Sequence, residues 1–321
     1  MNSSIHDRLQ GIHAATVVPM TSAFDLDEGA LRDHIVWVSH TPGIRGLLVN
    51  GHAGENTVLS SAEKRRVIAI AREVAPQDCL ICSGVNAESS LQAARDAEDA
   101  ETAGADILLV FPPNSFALAH DERSAAIHHH FVEHACSLPL LLYGAPLHAG
   151  AMAYSPHVLK ELAARERIVG IKEGSWEVAA YEETWRYFQS ESKDFAVLGS
   201  GDEHLLTSYL IGSVGSQVSL AALAPDLLVR FYEAASAQHW DRARSIHDLI
   251  YPLARAIYRE QPAARATARI KGALFLMGLL ASAAVRPPQP ELSQVEWDLL
   301  DGALSASGLK ETGREKDYAG I

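Results

Sequence analysis

Short apolar runs alternate with amphipathic segments through the first two thirds of the chain. The runs cover residues 12–18, 46–50, 79–84, 106–111, 139–143, 168–172, 195–199 and 215–220. Each is short, apolar and flanked by turn formers, the signature of a buried strand. The segments between them carry helix signals. Ser60-Ser61-Ala62-Glu63 fits a capping box ahead of a helix over 64–74. Ser155-Pro156 fits an N-cap followed by proline in the first turn, ahead of a helix over 158–164. The alanine-rich stretch 89–103 reads as a helix that Gly104 ends. Eight strand–helix units predict an α/β chain folded as a closed (β/α)8 TIM barrel. An open doubly wound sheet is the rival, and the first strand lacks the glycine-rich phosphate fingerprint that its nucleotide-binding members carry.

From Pro225 onward only helical periodicity remains, over 226–238, 240–259, 264–280 and 293–307. The expected organisation is therefore a catalytic barrel over residues 1–224 and a C-terminal helical extension over 225–321. The break Val285-Arg286-Pro287-Pro288-Gln289-Pro290 reads as a loop, and the last dozen polar residues as a frayed end. No solenoid repeat or low-complexity tract is visible.

Composition narrows the class. The 321 residues are 48% hydrophobic and 21% charged, ordinary for a globular chain. A formal net charge of −13 argues against nucleic acid or an anionic membrane as partner. It leaves room for an anionic small molecule in a local pocket. Residues 1–7 have no basic n-region and no apolar core, so no signal peptide is expected. The longest apolar candidate, 272–285, is too short to span a bilayer. A cytoplasmic enzyme is the expectation. Three cysteines make no disulfide framework. Cys79 and Cys82 have redox or metal spacing, but three residues along a strand puts them on opposite faces.

Candidate chemistry centres on Lys172. The chain has seven lysines, and six sit in charged, polar or helical settings. Lys172 ends the run Ile168-Val169-Gly170-Ile171-Lys172-Glu173. Burial would push its pKa toward neutrality, and a neutral amine can form a Schiff base with a carbonyl compound. The competing reading is a strand-end lysine that snorkels to water. In a TIM barrel the chemistry gathers at the C-terminal ends of the strands. Tyr143 ends the fifth run and could move protons. Gly51-His52-Ala53-Gly54-Glu55 follows the second, and its backbone N–H groups could hold a carboxylate. Glu55 reads as bonding back to that loop's amides. All three features project to one mouth.

The other eye-catching residues read as structural. His128-His129-His130 with His134 has metal-ligand spacing but reads as a solvated helix face, away from the mouth. Trp176, Trp185, Trp240 and Trp297 read as packing or subunit contacts. Lys271, the one rival lysine in an apolar setting, reads as a boundary or packing residue.

In these motifs the chain resembles the dihydrodipicolinate synthase / N-acetylneuraminate lyase family of class I aldolases, over nearly its whole length. Gly51-His52-Ala53-Gly54-Glu55 stands where that family has G-[ST]-[TS]-G-E. Tyr143-Gly144-Ala145-Pro146 stands where it has Y-N-x-P. Gly170-Ile171-Lys172-Glu173 matches its Schiff-base strand, and Gly201-Asp202-Glu203 a loop after strand seven. The resemblance implies that Lys172 forms the imine, that Tyr143 is the general acid/base, and that the 51–55 loop holds the carboxylate of pyruvate or a longer 2-keto acid. It implies no cofactor and no metal, and a homo-oligomer, tetramer or dimer.

There are departures. The loop hydroxyls are replaced by His52 and Ala53, so a hydroxyl that relays protons to the tyrosine is missing, and His52 either takes its place or does not. His148 stands where synthases proper carry a carboxylate-binding arginine. A second tyrosine is usual after strand four, where this chain has Phe111-Pro112-Pro113-Asn114-Ser115. Asp202 and Glu203 resemble the acidic pair that meets sugar hydroxyls in sialate lyases, with Ser219 beside them, while Gly174 is small where those lyases carry threonine. The expected activity is a Schiff-base-forming aldolase or dehydratase on a hydroxylated 2-keto acid. The alternatives are the lysine-biosynthetic condensation to 4-hydroxy-tetrahydrodipicolinate and a non-catalytic keto-acid-binding homologue. A metal-dependent barrel hydrolase or class II aldolase would need clustered ligands at strand ends, and the sequence does not offer them there.

Overall fold

The structure is a computed structural model that describes residues 4–190 and 194–310. Lys193, Lys316 and nearly all of the polar end expected to fray lie outside the described residues. In chain order come α1 (Ile5–Leu9), β1 (Gly11–Ala15), α2 (Glu28–Ser39), β2 (Ile44–Val49), α3 (Ser61–Val74), β3 (Leu80–Val85), α4 (Ser90–Ala103) and β4 (Ile107–Val110). They are followed by α5 (Arg123–Ala135), β5 (Leu140–Gly144), α6 (Pro156–Ala163), β6 (Ile168–Glu173), α7 (Val178–Ser190), β7 (Ala196–Gly199), α8 (Leu205–Ile211) and β8 (Gly215–Val218). The strands pair in sequence order, all parallel, and β8 closes on β1. This is the expected TIM barrel. Every apolar run overlaps a strand. Some runs overshoot because burial continues past the ladder: Val17, Val18 and Leu220 are buried outside any strand.

The local signals act as read. Ser60 and Glu63 cap each other reciprocally. The Ser155 hydroxyl accepts from the Val158 N–H, with Pro156 in the first turn. Gly104 ends α4 at φ 102°, a left-handed conformation that glycine adopts without strain.

Alternation along each strand sorts side chains into two cores. Leu48, Leu80, Cys82, Ile107, Leu109, Leu141 and Leu198 fill the barrel, and Leu9 of α1 closes it from below. Leu47, Ile81, Leu108, Leu140 and Val197 pack outward under the helices. Cys79 belongs to the outer core and Cys82 to the inner, opposite faces as expected. Burial pushes both thiols up to about 12, which leaves them unreactive.

After β8, α9 (Pro225–Ser236) completes the ring, so the eighth barrel helix begins at residue 225, where the extension was expected to start. The extension proper is then α10 (Trp240–Ala254), α11 (Ala266–Leu276) and α12 (Gln294–Ala306). The single helix expected over 240–259 becomes a π turn at Arg255–Arg259, just after Pro252 removes a backbone donor from the ladder. Among the described residues no helix is long and apolar enough to cross a membrane.

The histidine-rich face of α5 differs from its reading as a solvated surface. His128 and His129 are buried, His128 against the Ser90 hydroxyl (3.2 Å) and His129 against the Ala125 carbonyl (3.0 Å). Only His130 and His134 face solvent, their rings 3.9 Å apart. The helix turns half its histidines inward because α5 packs between α4 and α6. Among the described residues no group of three or more His, Cys, Asp or Glu could hold a metal ion.

Barrel closure sets a steric test. A Cβ at Gly215 would lie 2.3 Å from the Gly11 carbonyl oxygen, a backbone atom that cannot rotate away. Gly215→Ala should destabilise the protein by about 1–3 kcal/mol in urea unfolding. Gly302→Ala, on α12 with open space around it, should not.

Candidate active site

The C-terminal mouth of the barrel opens into a cavity of about 790 Å³. Lys172 and Tyr143 stand side by side there. β5 and β6 are neighbours, and their register pairs Tyr143 with Lys172. Register partners on parallel strands point to the same face, so both side chains enter the barrel mouth together. Gly174 follows, its N–H donating to the Gly144 carbonyl at 2.9 Å, and a Cβ there would meet that oxygen at 2.7 Å. A glycine is required where the two strands draw this close. That is a steric reason for the small residue the sequence shows.

Burial pushes the Lys172 ammonium down to about 8, with the Asp202 carboxylate opposing the shift. Asp202 is 2% exposed. Burial raises it to about 7 against the pull of the Leu220 N–H, Lys172 and the Tyr258 hydroxyl. Its Oδ1 accepts from the Leu220 N–H at 3.0 Å. Tyr143 is buried among rings, His52 edge-on at 5.4 Å and Phe111 at 4.6 Å between centroids. Burial raises its phenol well above the ordinary value, with Glu173 adding to the shift. The His52 ring faces the cavity, where its surroundings and the Lys172 charge both lower its pKa.

The 51–55 loop forms one 3-10 turn over His52–Gly54. The N–H groups of Gly54, Glu55 and Asn56 bond within the turn, to the carbonyls of Gly51 and His52. The amides of His52 and Ala53 have no backbone partner among the described residues, which makes them the donors available to an anion. Glu55 departs from its expected role. It does not bond to the loop's amides. It forms an ion pair with Lys271 and accepts the Arg286 N–H at 2.8 Å. Lys271 also donates to the Ala284 carbonyl at 2.8 Å and is fully buried, so it is neither a boundary nor a packing residue. The barrel loop is thus held by the C-terminal helices, and Thr267 adds a hydrogen bond to the His52 carbonyl at 3.2 Å.

Each remaining expected residue borders the cavity. Glu203 pairs with Arg259 at 2.8 Å, the Ser219 hydroxyl bonds to that of Tyr258, and His148 stands on the exposed rim. Sequence reasoning missed several wall residues. Trp176 leaves the expected helical role: it precedes α7 at φ 62°, its ring 5.3 Å from that of Tyr258. Its position shortly after Lys172, at a strand end, was the available signal. Tyr258 and Arg259 come from the π turn, and nothing local marks them. Gln217 on β8 is buried with both carboxamide atoms unpartnered, a polar residue inside an apolar run.

Comparison with known proteins places this geometry. The dihydrodipicolinate synthetase family model matches residues 8–307. The chain belongs to that family. It is 30% identical to the 4-hydroxy-tetrahydrodipicolinate synthase of Methanopyrus kandleri, over 95% of this chain and 99% of that one. Among solved structures, it superposes on the dihydrodipicolinate synthase of Agrobacterium tumefaciens with a TM-score of 0.83 at 26% identity, covering 95% of this chain and all of the other. It superposes on the chloride-inhibited dihydrodipicolinate synthase of Acinetobacter baumannii, complexed with pyruvate, with a TM-score of 0.84 at 26% identity, over 94% of this chain and all of that one.

The buried ion pair makes a prediction. Removing one partner of such a pair leaves the other charge stranded, at about 3–5 kcal/mol. Lys271→Met should lower urea stability by that order. Stranding the Glu55 charge should also loosen the 51–55 turn. Glu55→Gln combined with Lys271→Met should recover a large part of the loss, because no lone charge remains.

Proposed function

We propose that this chain is a Schiff-base-forming lyase acting on pyruvate or a hydroxylated 2-keto acid, with Lys172 as the imine former. One observation carries the reading: Lys172 enters the barrel mouth in register with Tyr143, its amine pushed down to about 8 by burial. A neutral amine attacks a ketone carbonyl, and the resulting protonated imine draws electrons from C3, so a C3–C4 or C–O bond can break or form. The carboxylate of the keto acid docks on the His52 and Ala53 amides, with Gly51 and Gly54 letting the turn close. Tyr143 moves protons at the imine carbon. Asp202, Glu203 and Ser219 contact the distal hydroxyls, and Glu55 acts through the loop it holds. His148 stands at the rim, where distal polar groups of a longer substrate would pass.

The names of the relatives favour a second reading, the condensation to 4-hydroxy-tetrahydrodipicolinate. His52, Ala53, Phe111 and His148 weigh against it, since a proton-relaying hydroxyl, a second tyrosine and an arginine are replaced by groups of other chemistry.

We also propose a homo-oligomer, tetramer or dimer, working in the cytoplasm, with a small-molecule partner rather than nucleic acid or membrane. Leu118 and Leu147, 88% and 54% exposed on neighbouring loops beside the mouth, support a covered face. In this reading the barrel supplies the reacting lysine, and the C-terminal helices from 237 on supply its far wall.

Borohydride added with pyruvate should attach a covalent mass to the wild type, and Lys172→Ala should abolish it. Only the neutral amine reacts, so initial trapping should rise about tenfold per pH unit below 8 and level off above it. Trapping that persists in Lys172→Ala, or that falls as pH rises toward 8, sinks the assignment.

A further inference from the structure

We propose that Asp202 is a catalytic proton carrier, the inner end of a row of polar groups, Ser219, Tyr258 and Asp202, that lines the cavity Lys172 enters. The inference rests on the Schiff-base reading above and adds a second acid–base group to it. Position comes first. Asp202 follows β7, the strand next to that of Lys172, and lines the same cavity. It is close enough that each group shifts the other's titration.

The wiring comes second. The Ser219 and Tyr258 hydroxyls are in hydrogen-bond contact, and Tyr258 lies near enough to Asp202 for each to bias the other's titration. The Leu220 N–H holds Oδ1. The carboxylate is thus fixed from β8's end and faces Tyr258 of the π turn. The charged and titratable groups around it are Lys172 on β6, Tyr258 beside Arg259 on the extension, and Glu203 on its own loop, whose charge is met by Arg259.

The state of the other wall comes third. Tyr143 is flanked by the His52 and Phe111 rings, and no side chain among the described residues hydrogen-bonds its hydroxyl. Ala53 has no hydroxyl to pass a proton on. The acid, the hydroxyl pair and the ion pair of this mouth gather on the Asp202 side. Burial holding that carboxyl at about 7 keeps both its forms populated near neutrality.

The Asp202 carboxylate takes a C3 proton from the protonated imine. The C3–H electron pair becomes the C2=C3 bond, and the imine π pair moves onto nitrogen, giving an enamine and a carboxylic acid. With pyruvate alone the proton returns to C3. With a C4 hydroxyl it leaves with that group as water, while C3=C4 forms, C2=N reforms, and the carboxylate is restored.

Deuterium exchange at C3 of pyruvate in D2O, followed by NMR, reads this step without a full turnover. Asp202→Asn should keep the borohydride adduct while exchange slows by about 100-fold or more. Tyr258→Phe should slow it about tenfold. Asp202→Asn exchange within tenfold of wild type overturns the proposal, and so does joint loss of adduct and exchange, which would make Asp202 a tuner of the lysine. Normal exchange in Asp202→Asn with loss in His52→Ala would assign the relay to His52 instead. If Asp202→Asn does not fold, unchanged exchange in Tyr258→Phe overturns it. A wild type that forms no adduct fails the Schiff-base reading itself, a result distinct from all of these.

Discussion

The Glu55–Lys271 ion pair joins two parts of the chain that are 216 residues apart. Neither charge reaches solvent, so each fixes the other. Such a pair adds little net stability over a well-packed apolar one, because desolvating two ions offsets their attraction. What it supplies is position. Lys271 is bound to the Ala284 carbonyl, and Glu55 to the Arg286 N–H. Arg286 in turn reaches Glu63 on α3 and the Val58 carbonyl. The turn that presents the His52 and Ala53 amides therefore cannot move without breaking contacts on the C-terminal segment. The proposed carboxylate site draws on both parts of the molecule.

The two buried lysines show how environment decides role. Lys271 is sealed, with a carboxylate and a carbonyl in contact, and remains a structural cation. Lys172 opens on a cavity, and no hydrogen bond to its amine is formed among the described residues. Its near charge, Asp202, only partly offsets burial. Burial lowers both amines, Lys271 against a carboxylate in direct contact and Lys172 against one that is only nearby. Charge state here follows from contact geometry and not from residue type.

Legibility in the sequence follows interaction range. The strands were readable because burial of parallel strands writes continuous apolar runs. The capping box at Ser60 and the stop at Gly104 were readable because their partners lie within four residues. Lys172 stood out because a cation at the end of an apolar run needs a reason. The failures share the opposite property. Glu55 looked like a loop brace because its partner is distant in sequence. Trp176 was marked only by its place after the Lys172 strand, and its own left-handed conformation has no local sign. His128 and His129 looked like a polar face because their buried hydrogen bonds are tertiary or backbone contacts that no spacing reveals. Tyr258 stands on a π turn within a long helical pattern.

The departures from the family motif form one pattern. His52, Ala53 and Phe111 all lie on the Tyr143 side of the mouth, and together they make it aromatic and poor in hydroxyls. The opposite side carries Asp202 on the Leu220 N–H, Ser219 bonded to Tyr258, and Glu203 paired with Arg259. Protons move readily through groups held in hydrogen-bond contact, and the proposed role of Asp202 draws on the wall where such contacts are made. The cavity is asymmetric in that sense, and the lysine stands where its two walls meet.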